Sequence, residues 1–221
     1  MPWILIDSAA EGDAVLELYG KDGMFMIRAN GLELMNGFHH ESETALGVMA
    51  AGVVRSREPR ILIGGLGLGY TVAALMSALG NRGLVTVAEL SATVIDWFHR
   101  HVKASVLPAN HHNLVIAQAD IVDLMTGTDC YDVVVLDTDN GPEPLVATRN
   151  ARIYSAAGLS ALHECLSANG VALLWSGFRS AAFEETARQA GFAVRCDRFQ
   201  RQRADLSHYV YVLAKNSATA H

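Results

Sequence analysis

An α/β fold, with a mostly parallel sheet covered by helices on both faces, is what this 221-residue sequence predicts. Three observations carry it. From Arg60 onward, β-favouring apolar runs alternate strictly with stretches of helical spacing. Four glycines, Gly64, Gly65, Gly67 and Gly69, stand between the first of those runs and its helix. Acids then close the runs that follow: Glu89, Asp120 and Asp137.

In chain order, Val15 to Met35 ("VLELYGKDGMFMIRANGLELM") places short β-favouring runs around turn signals at Gly20–Gly23 and Asn30-Gly31, which predicts a small antiparallel meander. Glu41–Val54 has helical spacing. Strands are predicted at Arg60–Gly64, Leu84–Glu89, Leu114–Ala117, Asp132–Asp137 and Val171–Trp175, with helices at Tyr70–Leu79, Thr93–Val102, Ile121–Met125 and Ala157–Leu166 between them. A further helix, Ala181–Gln189, precedes β-like runs at Ala193–Phe199 and Tyr209–Ala214. No helix separates those last two, so a hairpin must carry one of them antiparallel to the rest. The expected division is a meander over 1–40, an α/β domain over 41–216 and a frayed tail over 217–221.

Composition removes several function classes. Hydrophobic residues make up 51% and charged residues 18%, and no stretch approaches the roughly 20 continuous apolar residues of a membrane span. The start, "MPWILIDSAAEGD", has no basic region before its apolar run, so a signal peptide is not expected and the cytoplasm is the expected location. Three widely spaced cysteines, Cys130, Cys165 and Cys196, fit neither a disulfide framework nor a zinc site and read as reduced packing residues. No His/Cys/Asp cluster has metal-ligand spacing, so no metal is expected. The net charge of −6 offers no general field for nucleic acid, and neither nucleic acid nor a membrane is an expected partner.

Strand, glycine turn and helix in succession bring backbone N–H groups and a helix N-terminus close to a polar ligand, which points to a nucleotide-type cofactor. The alternative is a tight turn with close strand–helix packing. A dinucleotide fingerprint beginning at Gly65 would need glycine at position 70, which is Tyr70, so a plain NAD site is disfavoured. The phosphate loop with Gly-Lys-Ser/Thr is excluded, because no lysine occurs between Lys21 and Lys103. Glu89 closes the next strand about twenty residues on, where an acid can accept both ribose hydroxyls; it could instead be a helix N-terminal charge beside Ser91. Asp120 is a second cofactor candidate and, equally, an N-cap for the helix at Ile121.

The glycine turn resembles motif I of class I S-adenosylmethionine-dependent enzymes, in which a G-x-G-x-G turn accommodates the amino-acid end of the cofactor. With "VTVAEL", "QADIVDLM" and "YDVVVLDTDNGPEPL" added, the chain from about Gly31 to Gly177 resembles the spermidine synthase branch of that superfamily. The resemblance implies a Rossmann-like class I methyltransferase fold: a mostly parallel seven-stranded sheet with one antiparallel strand, preceded by the small N-terminal β-meander. It implies S-adenosylmethionine or decarboxylated S-adenosylmethionine as cofactor, bound by Gly65, Gly67, Gly69, Glu89 and Asp120, and a small-molecule amine as acceptor. Asp137 falls on the family's catalytic aspartate, Asp139 on the second acid of the covering loop, and Gly141-Pro142 on that loop. His40 and Glu41 retain the His-Glu of the family's Tyr-His-Glu, without the tyrosine. Tyr154, in "TRNARIY", is a further substrate-binding candidate, and Trp175 with Phe178 could line the acceptor pocket. A homodimer through the meander is expected.

Departures from the family pattern keep three readings open. Gly67 stands where spermidine synthases carry an acid for the amino group of the decarboxylated donor, the loop after Asp137 is shorter, and most of the N-terminal β-domain is missing. The first reading is a transferase moving an aminopropyl or related alkyl group from a sulfonium cofactor to an amine. The second is a small-molecule methyltransferase using ordinary S-adenosylmethionine, favoured by Gly67. The third is a cofactor-binding protein without catalysis.

Overall fold

The structure, a computed structural model, describes residues 2–107, 111–128, 130–138, 151–200 and 207–215. Its first four strands, β1 (Ile4–Glu11), β2 (Ala14–Lys21), β3 (Met24–Ala29) and β4 (Leu32–Asn36), form an antiparallel sheet in sequential order. Asp22-Gly23 and Asn30-Gly31 make two of the turns. All four of those residues have positive φ, between 49° and 80°, which matches the twist of the flanking strands and explains why Asp-Gly and Asn-Gly stand there. β1 is an addition to the expected meander. Most of its side chains are exposed or half-buried, so it has no apolar alternation to read. Pairing with β2 holds it along one edge, and polar contacts hold it to the following domain: Trp97 Nε1 and Arg100 Nη2 donate to Asp7 Oδ2 at 3.0 and 2.9 Å.

The rest of the chain alternates as expected. Helix α1 (Glu41–Val53) leads into β5 (Arg60–Gly64), α2 (Tyr70–Leu79), β6 (Leu84–Glu89) and α3 (Ala92–Trp97). The helix expected over Thr93–Val102 is instead α3, a π-helical turn at Phe98–Val102 and α4 (Lys103–Val106) in direct succession. Then come β7 (Leu114–Gln118), α5 (Ile121–Leu124), β8 (Tyr131–Leu136), α6 (Ala151–Tyr154), α7 (Ala156–Cys165), β9 (Leu166–Ser176), α8 (Ala181–Gln189), β10 (Phe192–Gln200) and β11 (Ser207–Lys215). They build a seven-stranded sheet in the order β10-β11-β9-β8-β5-β6-β7, in which β11 runs antiparallel to both neighbours and the others are parallel.

Both faces of the central strands are buried, and successive side chains show it. Ile61, Ile63, Val133 and Val135 pack to one side with Leu46, Val72 and Trp97, while Leu62, Val134, Leu136 and Tyr211 pack to the other with Leu159 and Phe183. A strand covered on both faces has no polar face, which is why the central strands read as continuous apolar runs. The first cluster also takes in Leu16, Leu18 and Ile27, so the N-terminal sheet shares its core with α1 and α2. No helix among the described residues is long and apolar enough to cross a membrane.

Strand order decides where a ligand can sit. β5 pairs with β6 on one side and β8 on the other; the chain runs from β5 to β6 in one direction and from β8 to β9 in the other, so a crevice opens beyond the carboxyl ends of these strands. Gly64 is in register with Ala88 and with Leu136, which sets Gly65, Glu89 and Asp137 side by side at that edge.

Candidate functional site

The glycine turn is left-handed at three points: φ is 92° at Gly65, 51° at Gly67 and 79° at Gly69, values that suit glycine. Side chains are excluded there for a second reason. A Cβ on Gly65 would overlap the carbonyl oxygen of Asp137, one on Gly67 would lie 2.9 Å from Met35 Sδ, and one on Gly69 would run into the Phe98 ring. The groups that approach this backbone so closely thus include the protein's own, from β4, β8 and the π turn. Main-chain bonds fix the turn to both neighbouring strands: Gly65 N donates to Ala88 O and Asp137 N to Gly64 O, each at 2.9 Å.

Each strand-ending acid is held. Glu89 Oε2 accepts from Leu66 N and Oε1 from Ser91 N, both at 2.9 Å, so this carboxylate braces the glycine turn while its remaining lone pairs stay available. Asp137 Oδ2 accepts from Thr71 Oγ1 at 2.6 Å. Asp120 caps α5, accepting from Val122 N at 2.9 Å, and pairs with Arg152 at 3.1 Å. Its capping role and its place at the crevice are both real.

A cleft of about 450 Å³ joins these groups, running over the glycine turn from Asp120 and Glu89 to Asp137, Thr138 and Trp175. The N-terminal sheet supplies one wall, through Glu11 and Glu33 to Asn36, and α1 contributes Glu43. Six carboxylates among the described residues line it: Glu11, Glu33, Glu43, Glu89, Asp120 and Asp137. No lysine, arginine or histidine is among the described lining residues. Arg152, outside the lining, offsets Asp120; with that pair counted, the surface still favours a cation over an anion. Burial, with the Glu43 carboxylate second, raises the Tyr70 phenol above its ordinary value, which keeps it a neutral donor in the cleft wall.

Other predicted residues sit further out. His40 stacks on Tyr70 with ring centroids 4.0 Å apart and contacts Thr44 Oγ1 through Nδ1 at 2.9 Å, so it buttresses a lining residue without lining the cleft itself. Glu41 is exposed and outside the lining, whereas Glu43 is in it. Tyr154, 8% exposed, shares a 2.8 Å hydrogen bond with Thr138 Oγ1, and Thr138 does line the cleft. Trp175 lines it and Phe178 does not. Asp139, Gly141 and Pro142 lie outside the described residues. The three cysteines are free, and no group of metal-ligating side chains occurs among the described residues.

Sequence reasoning missed Glu11, Glu33, Glu43, Met35 and Thr71. Only Glu43 had a local signal, as an acid in the first turn of a predicted helix. The others come from segments whose closeness to the glycine turn is a product of folding.

No family model and no curated protein matches the chain. Solved structures do. A spermidine synthase in complex with the transition state analogue AdoDATO superimposes over 96% of this chain and 74% of its own, with a TM-score of 0.77 at 14% identity. Spermidine synthase from Thermotoga maritima matches over 96% and 73%, with a TM-score of 0.74 at 14% identity. A probable spermidine synthase from Corynebacterium glutamicum matches over 95% and 79%, with a TM-score of 0.68 at 13% identity. By fold, then, the chain is similar to spermidine synthases.

Proposed function

We propose that this protein is a transferase that moves an aminopropyl or related alkyl group from an S-adenosylmethionine-type sulfonium cofactor to a small amine. One observation supports this above the others: six carboxylates and no basic side chain among the described lining residues surround a cleft at the carboxyl edge of the sheet. Both reactants would be cations, and the spermidine synthase held with AdoDATO has the same fold.

The residues fit a nucleoside sulfonium. Glu89 would accept the ribose hydroxyls, Asp120 and Leu90 would flank the base, and the glycine turn would lie under the chain on sulfur. The cofactor would supply an electrophilic carbon beside sulfur, which leaves with the carbon–sulfur electron pair as a neutral thioether. The protein's task is to deliver an uncharged amine. Asp137 takes a proton from the acceptor ammonium, leaving the lone pair on nitrogen aimed at that carbon, while a second acid such as Glu43 holds any remote ammonium.

A second reading, methyl transfer from intact S-adenosylmethionine, is favoured by one feature. At Gly67 no acid meets the donor's amino group, and Met35 Sδ occupies that space. Titration calorimetry with both cofactors, followed by mass spectrometry of the products, separates the two: methylthioadenosine marks alkyl transfer and S-adenosylhomocysteine marks methyl transfer. Asp137→Asn is expected to lower turnover by about 10²–10⁴-fold, the range of general-base catalysis, while cofactor affinity is kept. Full activity in that variant would refute the assignment of the base, and binding of neither cofactor would refute the reading altogether.

A further inference from the structure

We infer that Thr71 is a positioning residue for Asp137, orienting its carboxylate through a buried hydroxyl; this rests on the reading of Asp137 as the base. Thr71 is the second residue of α2, is 3% exposed, and lies 66 residues before its partner. A threonine in the first turn of a helix commonly bonds within its own turn. Here Oγ1 reaches instead to Asp137 Oδ2 at 2.6 Å and lies 3.2 Å from the backbone oxygen of Glu43.

One hydroxyl carries one hydrogen, and two acceptors face it. An ionised carboxylate can only accept, so with Asp137 charged the hydrogen lies on the shorter contact, where it is a charge-assisted bond. When Asp137 is protonated on Oδ2 the direction reverses: the acid O–H donates to Thr71 Oγ1, and the threonine hydrogen turns to the Glu43 carbonyl. Only hydrogens move. Neither state leaves a buried hydroxyl unpaired, so the proton taken from an acceptor ammonium is accommodated without rearrangement.

The main chain of Asp137 is already fixed, because its N–H donates to Gly64 O and its carbonyl packs against Gly65. The Thr71 hydroxyl acts on the side chain, and a carboxylate held on Oδ2 presents a defined direction to an amine. Among the described residues, the titratable groups that share the cleft with Asp137 are Tyr70 of α2, Glu43 of α1, Glu89 of β6, Asp120 before α5, and Glu33 and Glu11 of the N-terminal sheet. All are retained when Thr71 alone is changed.

The test compares wild type, Thr71→Ser, Thr71→Val and Asp137→Asn with methylthioadenosine or S-adenosylhomocysteine as the measured product. Thr71→Val is expected to lower kcat by about 10- to 100-fold, the factor carried by one hydrogen bond to a charged group, with KM for the amine little changed. Thr71→Ser keeps the hydroxyl and should restore most of the rate. In parallel, carbon-13 NMR of aspartate-labelled protein, with the Asp137 signal assigned by its loss in Asp137→Asn, follows the carboxyl titration. Its midpoint should rise in Thr71→Val and stay in Thr71→Ser, because the bond to the charged form has been removed. If Thr71→Val does not fold, Thr71→Ala is read the same way. A wild-type rate and midpoint in the valine variant would overturn the proposal, as would a serine variant as slow as the valine one. Wild type inactive with every amine and either donor would count against the transferase reading alone, and the carboxyl titration would still decide whether Thr71 holds Asp137.

Discussion

Glu89 illustrates how one side chain serves fold and site together. Its two oxygens accept from Leu66 N and Ser91 N, so the carboxylate that would meet the ribose also braces the glycine turn beside it. Replacement by glutamine keeps the shape but makes one of the two oxygens a donor, which then faces a backbone N–H. Glu89→Gln is therefore expected to weaken nucleoside-cofactor binding by at least about tenfold, read by calorimetry, because a bond to a charged group carries about 1.5–3 kcal/mol. An unchanged affinity would remove Glu89 from the cofactor site. At this scale the acids ending strands were legible and others were not. Glu89 and Asp137 each close an apolar run, which marks them in the sequence. Glu41 and Glu43 flank the buried Ser42 on opposite sides of α1, at about 100° per residue, so the sequence cannot say which faces the cleft. The packing of α1 against α2 decides it: at Gly47 there is no room for a Cβ between the two helices, beside Leu75 N and Ala74.

Among the elements, α8 shows how a predicted helix is held in place by charge. Its apolar face contributes Phe183 and Ala187 to the core, and Ser180 caps it by accepting from Phe183 N. Glu184 is buried on the same helix. The Arg179 guanidinium, and after it Arg188, hold its carboxyl below the ordinary value of 4.5 against the opposing effect of burial. A depressed folded-state value means stability that is present above the unfolded value and is lost as pH falls through the folded one. Glu184→Gln should therefore cost about 1–2 kcal/mol at neutral pH, the arginine heads being half-exposed and screened, and the difference from wild type should shrink below about pH 4. Thermal denaturation of both proteins across that range checks it. The succession of strands and helices in the parallel sheet was readable because strand and helix differ in apolar period, but not every boundary was: β9 begins at Leu166, five residues before the expected Val171. β1 was not, since its side chains are exposed or only half-buried and its place depends on pairing with β2 and on Asp7 meeting Trp97 and Arg100.

For the molecule as a whole, charge is distributed more informatively than its net value suggests. A net charge of −6 over 221 residues is modest, yet six acids among the described residues converge on one cleft. Electrostatic attraction of this kind acts on encounter and is screened over about 10 Å at 0.1 M salt. With a diamine as acceptor, kcat/KM should fall several-fold between about 0.05 and 0.5 M salt, and fall less for a monoamine; steady-state rates at fixed pH measure it. Equal salt dependence for both acceptors would mean that the acids do not act together. The sequence by itself determined the alternation of strands and helices, the glycine turn, and the acids that punctuate the strand ends, because each is written in local periodicity and backbone chemistry. Only the tertiary structure decided that Glu11, Glu33 and Glu43 line one cleft with Asp137, that Met35 fills the space over Gly67, and that Thr71 donates to the Asp137 carboxylate. Those contacts join segments far apart in the chain, and strand order together with helix packing, rather than any local pattern, brings such segments into reach.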